Sequence, residues 1–264
     1  MIILAIGDVV GRPGRKILKE MLPKIKRDNN IDICIVNGEN SATGNGITSK
    51  ITKELFSYGV DIITLGNHAY AKKEINEYID NEDSLIRPAN FPSDYPGKGS
   101  TIFYKGNIKV GVINLCGKVY FDRPEITLDC PFSIAEKEIE KLKEYTNVIL
   151  VDIHAEATSE KLALGWYLDG KVSAVFGTHT HVQTADERIL PNGTGIITDI
   201  GMTGPYNSVL GIETQMVINR FLNIEPAKFV ISQGDMQLNG VMFEIDKVSG
   251  KCTKIERIRY FMKE

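Results

Sequence analysis

Short apolar runs alternate with amphipathic segments through the first third of the chain. The apolar runs, which we interpret as strands, lie at 2–6, 33–36 and 62–65, and the segments with helical periodicity lie at 15–22, 47–58 and about 72–80. Loops rich in glycine and polar residues join each strand to its helix, at 7–14, 37–46 and 66–68. Continuous apolar strands that alternate with helices predict a buried, mostly parallel sheet.

The pattern changes after 87–92. Two alternating runs, 101–104 and 109–115, predict a hairpin that belongs to a second sheet or to an antiparallel extension of the first. The remaining predicted elements are helices at 134–144 and 159–168, strands at 148–154, 174–177 and 195–199, a glycine-rich turn at 201–204, and a terminal hairpin of 240–245 with 252–259. Residues 119–132 are predicted to form an irregular segment that covers the site. Since no linker or repeat interrupts the pattern, we expect one α/β domain over 1–264.

Composition narrows the classes of function. The net charge is −3, from 31 basic and 34 acidic residues, so bulk binding of nucleic acid is not expected. The four cysteines are scattered, which favours reduced thiols over a disulfide scaffold. No apolar stretch approaches the roughly 18 residues that a membrane span requires, and the apolar start is too short for a signal peptide. We therefore expect a cytoplasmic protein.

The four histidines of the chain all follow apolar runs. Acidic and amide side chains also follow the predicted strands. Together with the histidines, the potential ligands at strand ends are Asp8, Glu39, Asn40, Asn67, His68, His154, His179 and His181. If the strands are neighbours in one layer, these side chains converge at the carboxyl edge of the sheet. Mixed oxygen and nitrogen ligands suit iron, manganese or zinc, and the surplus over one coordination sphere favours a centre with two metal ions.

Each of these residues has an ordinary structural role as well. Asp8 alone is more often an N-cap or loop residue, and Asn40 and Asn67 alone are more often turn residues. The combination is more specific than its members: Gly-Asn-His at 66–68 follows one strand, and Gly-Thr-His-Thr-His at 177–181 follows another.

At these motifs the chain resembles the calcineurin-like metallophosphoesterases. Two positions depart from the general pattern: Val10 stands where that family has a histidine, and Glu39 replaces the bridging aspartate. These departures make the chain similar to the YmdB-like branch of the family, over residues 1 to about 260. The segments that carry this similarity are 7–15, 37–40, 128–132, 154–161 and 177–186.

The resemblance implies a four-layer α/β sandwich of two mixed sheets flanked by helices. It also implies hydrolysis of small cyclic nucleotides, chiefly 2′,3′-cyclic AMP, by a hydroxide that bridges two metal ions, with iron expected first and manganese or zinc as alternatives. Residues carried over as ligands are Asp8, Glu39 and His181 for one ion, and Glu39, Asn40, Asn67, His154 and His179 for the other. His68 is the expected proton donor to the leaving ribose oxygen.

Alternatives remain open at this level. The same site would serve a phosphatase acting on another phosphoester, or a regulatory protein that binds metal or nucleotide and hydrolyses slowly. Four aromatic residues are candidates for stacking on a base, although packing is the commoner role of each: Tyr120, Phe121, Phe132 and Tyr206. Apolar residues within 206–224 leave a homo-oligomer open.

Overall fold

Two β-sheets form the centre of the protein, which we describe from a computed structural model covering residues 1–121, 126–224 and 229–264. The first sheet contains β1 (Ile2–Ile6), β2 (Asp8–Val9), β3 (Ile33–Asn37), β4 (Ile62–Thr64), β5 (Leu85–Ile86), β12 (Met202–Pro205), β13 (Met236–Ile245) and β14 (Cys252–Met262). The second contains β6 (Ser100–Lys105), β7 (Ile108–Cys116), β8 (Ile149–His154), β9 (Ala174–Thr178), β10 (Arg188–Ile189) and β11 (Gly195–Ile197).

Both sheets are mixed. In the first, β1, β3, β4 and β5 run parallel, and β13 pairs antiparallel with β1 and β12 along one edge and with β14 along the other. In the second, β7, β8, β9 and β11 run parallel between two antiparallel edge strands, β6 and β10. The predicted hairpin after 87–92 therefore begins a second sheet.

Helices cover the outer faces of both sheets. They are α1 (Gly11–Asp28), α2 (Ser49–Ser57), α3 (Ile75–Tyr78), α4 (Pro131–Lys143) and α5 (Thr158–Tyr167); a further helix, α6 (Thr214–Phe221), lies on the surface. Leu18 and Leu22 of α1 belong to the same buried cluster as Leu4 of β1, and Ile139 of α4 to the same cluster as Val151 of β8. Between the sheets, the rings of Phe176 and Phe243 lie 6.3 Å apart within a third cluster. The predicted four-layer α/β sandwich is confirmed, and the single domain over 1–264 stays a prediction.

Two predicted elements were wrong in detail. The helix predicted over about 72–80 is only α3, which begins after Glu74, followed by a 3-10 turn at 79–81; the Glu74 carboxylate accepts hydrogen bonds from the backbone N–H and hydroxyl of Ser49. The turn predicted at 201–204 is mostly strand β12, because Met202 and Thr203 pair with β2 and Gly204 with β13. Gly201, with φ of +78°, makes the turn just before that strand.

The first helix also begins earlier than predicted, at Gly11 in place of Arg15. Pro13 lies in the first helical turn, where a missing backbone N–H costs nothing. A Cβ on Gly14 would lie 2.3 Å from the carbonyl oxygen of Thr203, so the glycine allows α1 to approach β12 closely.

The surface has two further features that bear on the predictions. Residues 122–125 of the predicted covering segment lie outside the described residues. Helix α6 has no buried residue, and Phe221 at its end is 83% exposed. No helix in the described ranges is long and apolar enough to cross a membrane.

Candidate metal centre

The carboxyl ends of strands from both sheets meet at one place. The first sheet supplies Asp8, Glu39, Asn40, Asn67 and His68, and the second supplies His154, His179 and His181. Hydrogen bonds and close contacts link all eight of these residues into one cluster. The prediction assumed strands of one layer; the structure brings the residues together from two.

His154 lies at the centre of the cluster and is fully buried. Its Nε2 is 3.0 Å from Glu39 Oε1, 3.0 Å from Asn67 Oδ1 and 3.1 Å from His179 Nδ1. One ligand atom from each of Glu39, His154 and His179 lies within 4.8 Å of the others. This triad is a group that can hold a metal ion.

A second group lies beside the triad. His181 Nε2 is 3.8 Å from Asp8 Oδ1 and 3.0 Å from Asn40 Nδ2, and its Nδ1 is 3.1 Å from the carbonyl oxygen of Leu210. Because that carbonyl can only accept, Nδ1 donates, and the lone pair of Nε2 accepts from the Asn40 amide, beside Asp8. Asp8 Oδ1 is buried and has no hydrogen-bond partner among the described residues. A buried carboxylate oxygen without a donor fits a cation.

The loop after β9 holds both of its histidines in an unusual backbone conformation. His179 has φ of +99° and His181 has φ of +66°, which non-glycine residues seldom adopt. Asp8 Oδ2 accepts from the backbone N–H of His179 at 3.1 Å, and Asp199 Oδ2 accepts from the N–H and hydroxyl of Thr180. Asp199 also forms a buried ion pair with Lys161 at 2.7 Å. These contacts hold the strained loop in place.

A buried polar network orients His154 from below. His154 Nδ1 lies 2.9 Å from the hydroxyl of Thr178, which donates to Asp152 Oδ1 at 2.8 Å. The other oxygen of Asp152 accepts from Thr64 at 2.5 Å and from Asn37 at 3.1 Å. Partners of this kind fix the ring orientation of metal-ligating histidines.

Sequence reasoning missed three members of this network: Asn37, Thr64 and Asp152. The signal was a polar residue near the end of each apolar strand, and in β8 an acidic residue within a run that is otherwise apolar up to His154. Burial raises the pKa of Asp152 to about 6, although the hydrogen bonds from Thr64, Thr178 and Asn37 oppose the rise.

The carboxylates of the cluster favour a positive charge among them. Burial disfavours the charged forms of both Glu39 and His154, but their opposite charges and hydrogen bond lower the pKa of Glu39 and raise that of His154. Burial raises the pKa of Asp8, while His181 and His154 lower it. Burial and the charge of His154 lower the pKa of His179, so its ring is neutral at neutral pH. The proton on His154 is stabilised by the carboxylates of Glu39 and Asp8, and a metal cation would be stabilised by the same two groups.

Two glycines allow the groups to approach. A Cβ on Gly66 would lie 2.3 Å from Glu39 Oε2 and 2.4 Å from His154 Nε2. A Cβ on Gly177 would lie 1.9 Å from the carbonyl oxygen of Thr198. The glycines of the two histidine motifs are therefore steric requirements of the site.

Two side chains cover the His179 ring. Phe121 lies edge-on to it, with centroids 4.7 Å apart, and Glu156 Oε2 is 3.0 Å from its Nε2. Of the other aromatic candidates, Tyr120 is exposed and Phe132 packs on Tyr167.

Comparison with known proteins places this site in a family. The sequence profile described as YmdB-like protein matches residues 4–258. The chain belongs to the YmdB-like family. The 2′,3′-cyclic-nucleotide 2′-phosphodiesterase of Bacillus subtilis is 51% identical to this YmdB-like chain over 258 residues, covering 98% of the chain and 96% of the relative.

Solved structures agree. The crystal structure described as a novel phosphatase from Mycoplasma pneumoniae has a TM-score of 0.92 and 37% identity, and the match covers 100% of this chain and 94% of that one. A 5′-nucleotidase from Candida albicans shares the fold, with a TM-score of 0.60 at 14% identity over 98% of this chain and 50% of that one. The predictions of an enzyme and of a metallophosphoesterase-type fold, which implies divalent metal ions, are confirmed.

Proposed function

We propose that this YmdB-like enzyme hydrolyses small 2′,3′-cyclic nucleotides such as 2′,3′-cyclic AMP. The observation that carries the proposal is the cluster of Glu39, His154 and His179 next to the buried, unpartnered Asp8 Oδ1. The relative from Bacillus subtilis that bears this activity in its name supports the choice of substrate.

The donor set supports two transition-metal ions. Asp8, Glu39 and His181 would hold one ion, and Glu39, Asn40, Asn67, His154 and His179 the other, with Glu39 as the shared ligand. Asn40, whose amide nitrogen is 3.0 Å from His181 Nε2, lies where the two groups adjoin. The ligand types suit iron first, with manganese or zinc as alternatives. When bound, the ions lower the pKa of water and neutralise charge on the phosphoryl oxygens.

The remaining steps belong to the chain itself. Asn67 lies against His154 Nε2 and, through its amide nitrogen, 3.4 Å from His68 Nε2. The backbone N–H of His68 donates to Glu39 Oε2 at 3.0 Å, which fixes the His68 backbone at the edge of the cluster. The imidazole of His68 is proposed to give a proton to the leaving ribose oxygen, since a poor leaving group needs one.

Elemental analysis of the purified protein, combined with an assay of the same sample on 2′,3′-cyclic AMP, tests the proposal. About two transition-metal ions per chain with many turnovers are expected. Metal without turnover would favour another phosphoester or a regulatory binding role, and tight nucleotide binding with very slow hydrolysis would favour the latter. A chain that takes up no metal when iron, manganese and zinc are offered would overturn the proposal.

A further inference from the structure

A cavity of about 560 Å³ opens beside His181, and its lining includes none of Glu39, His154 and His179. Three carboxamide side chains line it, from Gln183, Gln237 and Asn239, together with Tyr206 and Arg259. We call this site the amide cavity. Its volume is in the range of small-molecule sites, and His181 belongs both to the cavity and to the metal cluster.

The inner face of β13 changes character at the cavity. Val241 and Phe243 alternate along this face and lie in the core between the sheets. Gln237 and Asn239 continue the same alternation toward the start of the strand, and Arg259 of β14 pairs directly opposite Asn239. Polar side chains replace apolar ones only where the face meets the cavity.

Each of the three carboxamides uses one of its two ends to hold the protein together. Gln183 Nε2 donates to the carbonyl oxygens of Gly240 and Ile258, at 2.9 and 3.2 Å. Gln237 Oε1 accepts from Arg259 Nη2 at 3.0 Å, and Asn239 Nδ2 donates to the carbonyl oxygen of Met202 at 2.8 Å. The three amides are thereby fixed in orientation.

The other end of each carboxamide has no hydrogen bond within the described part of the chain. These atoms are two acceptors, Gln183 Oε1 and Asn239 Oδ1, and one donor, Gln237 Nε2. Asn239 is only 3% exposed, and its Oδ1 is buried without a partner. Because Asn239 Oδ1 has almost no accessible surface, Asn239 shapes the wall, and a ligand would meet the free ends of Gln183 and Gln237.

The wall of the cavity is aromatic and cationic. The Arg259 guanidinium lies 5.6 Å from the ring centroid of Tyr206 and 4.7 Å from that of Phe261, and the two rings are 5.0 Å apart. Tyr206 remains 44% exposed. Such a wall favours stacking of a planar heterocycle.

The charges at the rim are held in pairs. Arg257 is paired with Glu187 at 2.6 Å, and Glu256 with Lys254 at 2.8 Å. Arg259 already donates to Gln237 and lies against the two aromatic rings. The cavity therefore suits a planar, neutral ligand that hydrogen-bonds to amides.

We propose that the amide cavity binds the base of the nucleotide substrate and favours adenine, an inference that rests on the proposed cyclic-nucleotide phosphodiesterase activity. Adenine presents an amino donor and ring-nitrogen acceptors, which match the free acceptor Gln183 Oε1 and the free donor Gln237 Nε2. With the phosphate at the metal cluster, the ribose spans His181 and the base lies between Gln183, Gln237 and Tyr206. These three residues then determine base specificity.

Two variants of the metal-loaded enzyme test the proposal, Gln237→Ala and Tyr206→Leu. Adenosine, which has no phosphate, is titrated by calorimetry to measure base binding without hydrolysis. The ratio of kcat/KM for 2′,3′-cyclic AMP to kcat/KM for bis(p-nitrophenyl) phosphate, a diester without a base, is measured alongside. Gln215→Ala, which removes an exposed amide on α6, is the matched control.

We expect each test variant to bind adenosine about tenfold more weakly and to lower the kinetic ratio about tenfold, whereas the control changes neither. Unchanged adenosine affinity in both variants, or no adenosine binding to the wild type at millimolar concentration, would overturn the cavity assignment. Wild-type enzyme that turns over no cyclic nucleotide would overturn the proposed function, while adenosine titration would still decide the cavity. If Gln237→Ala does not fold, the half-exposed Tyr206 still supplies the test.

Discussion

His154 Nδ1 and Thr178 Oγ1 lie 2.9 Å apart beneath the metal ligands. The Thr178 hydroxyl gives its own hydrogen to Asp152 Oδ1, so it receives the hydrogen of Nδ1 from the imidazole. When His154 ligates a metal as the neutral ring, its lone pair is therefore on Nε2, next to Glu39 and His179.

Thr178→Val tests this relationship at nearly constant side-chain volume. Without the hydroxyl, Nδ1 of His154 loses its acceptor and Asp152 loses a donor, so metal affinity is expected to fall by about 10- to 100-fold. Titration of the metal-free protein with Mn²⁺ or Zn²⁺ measures the loss. Thr178→Ser, which keeps the hydroxyl, should remain close to wild type, and equal affinity in the valine and serine variants would contradict the assigned role.

Gly66→Ala tests the steric requirement at the other side of the cluster. The added methyl group would meet both Glu39 Oε2 and His154, so we expect metal content to fall well below that of wild type. Gly106→Ala is the control, because a Cβ there meets nothing within 4 Å and costs only about 1 to 2 kcal/mol for its left-handed backbone. Elemental analysis and thermal unfolding distinguish the two variants; full metal content in Gly66→Ala would refute the steric argument.

His68→Ala tests the proton donor. Turnover of 2′,3′-cyclic AMP is expected to fall by about 10² or more while metal content stays near that of wild type, because His68 is proposed to act on the leaving oxygen and not on a metal. Tyr70→Phe, two residues further on, removes a hydroxyl that donates to the Pro96 carbonyl and serves as the neighbouring control. Loss of metal from His68→Ala would contradict the assignment.

The cysteines should differ in reactivity. A hydrogen bond from the Ser133 backbone lowers the pKa of the exposed Cys130 thiol, whereas burial raises the pKa of Cys34 to about 12 and that of Cys252 to about 11. Because the thiolate is the reactive form, iodoacetamide at pH 7.5 should modify Cys130 first in the native protein. Mass spectrometry after digestion identifies the modified residue. Labelling of Cys34 at a similar rate would show that the fold opens more readily than its packing implies.

The sequence predicted the site best where strands end in motif residues. His154 and the pair His179 and His181 follow apolar runs whose length and composition give a buried strand with little ambiguity. Glycine spacing then made Gly66 and Gly177 part of recognisable motifs, and the structure shows that both glycines are steric requirements.

The parts that the sequence did not predict depend on contacts between distant residues. Asn37 lies on β3 and Asp152 on β8, 115 positions apart, and no local pattern indicates that they share a hydrogen bond. Strand β12 contains Gly204 and Pro205, residues with low strand propensity, and it exists because β2 and β13 pair with it. In β12, pairing with two neighbouring strands outweighs the low strand propensity of its own residues.

The proposed ligands of the centre come from two separate sheets: Glu39 and Asn67 from the first, His154 and His179 from the second. A cation held by all four residues would link the two sheets at the carboxyl ends of their strands. This link would add to the stability that the apolar layer between the sheets provides. Metal supply would then govern the lifetime of the protein as well as its activity, because a ligand that binds only the native state shifts the unfolding equilibrium. Under metal starvation, cells would hold less of the enzyme because its unliganded form unfolds and is degraded sooner.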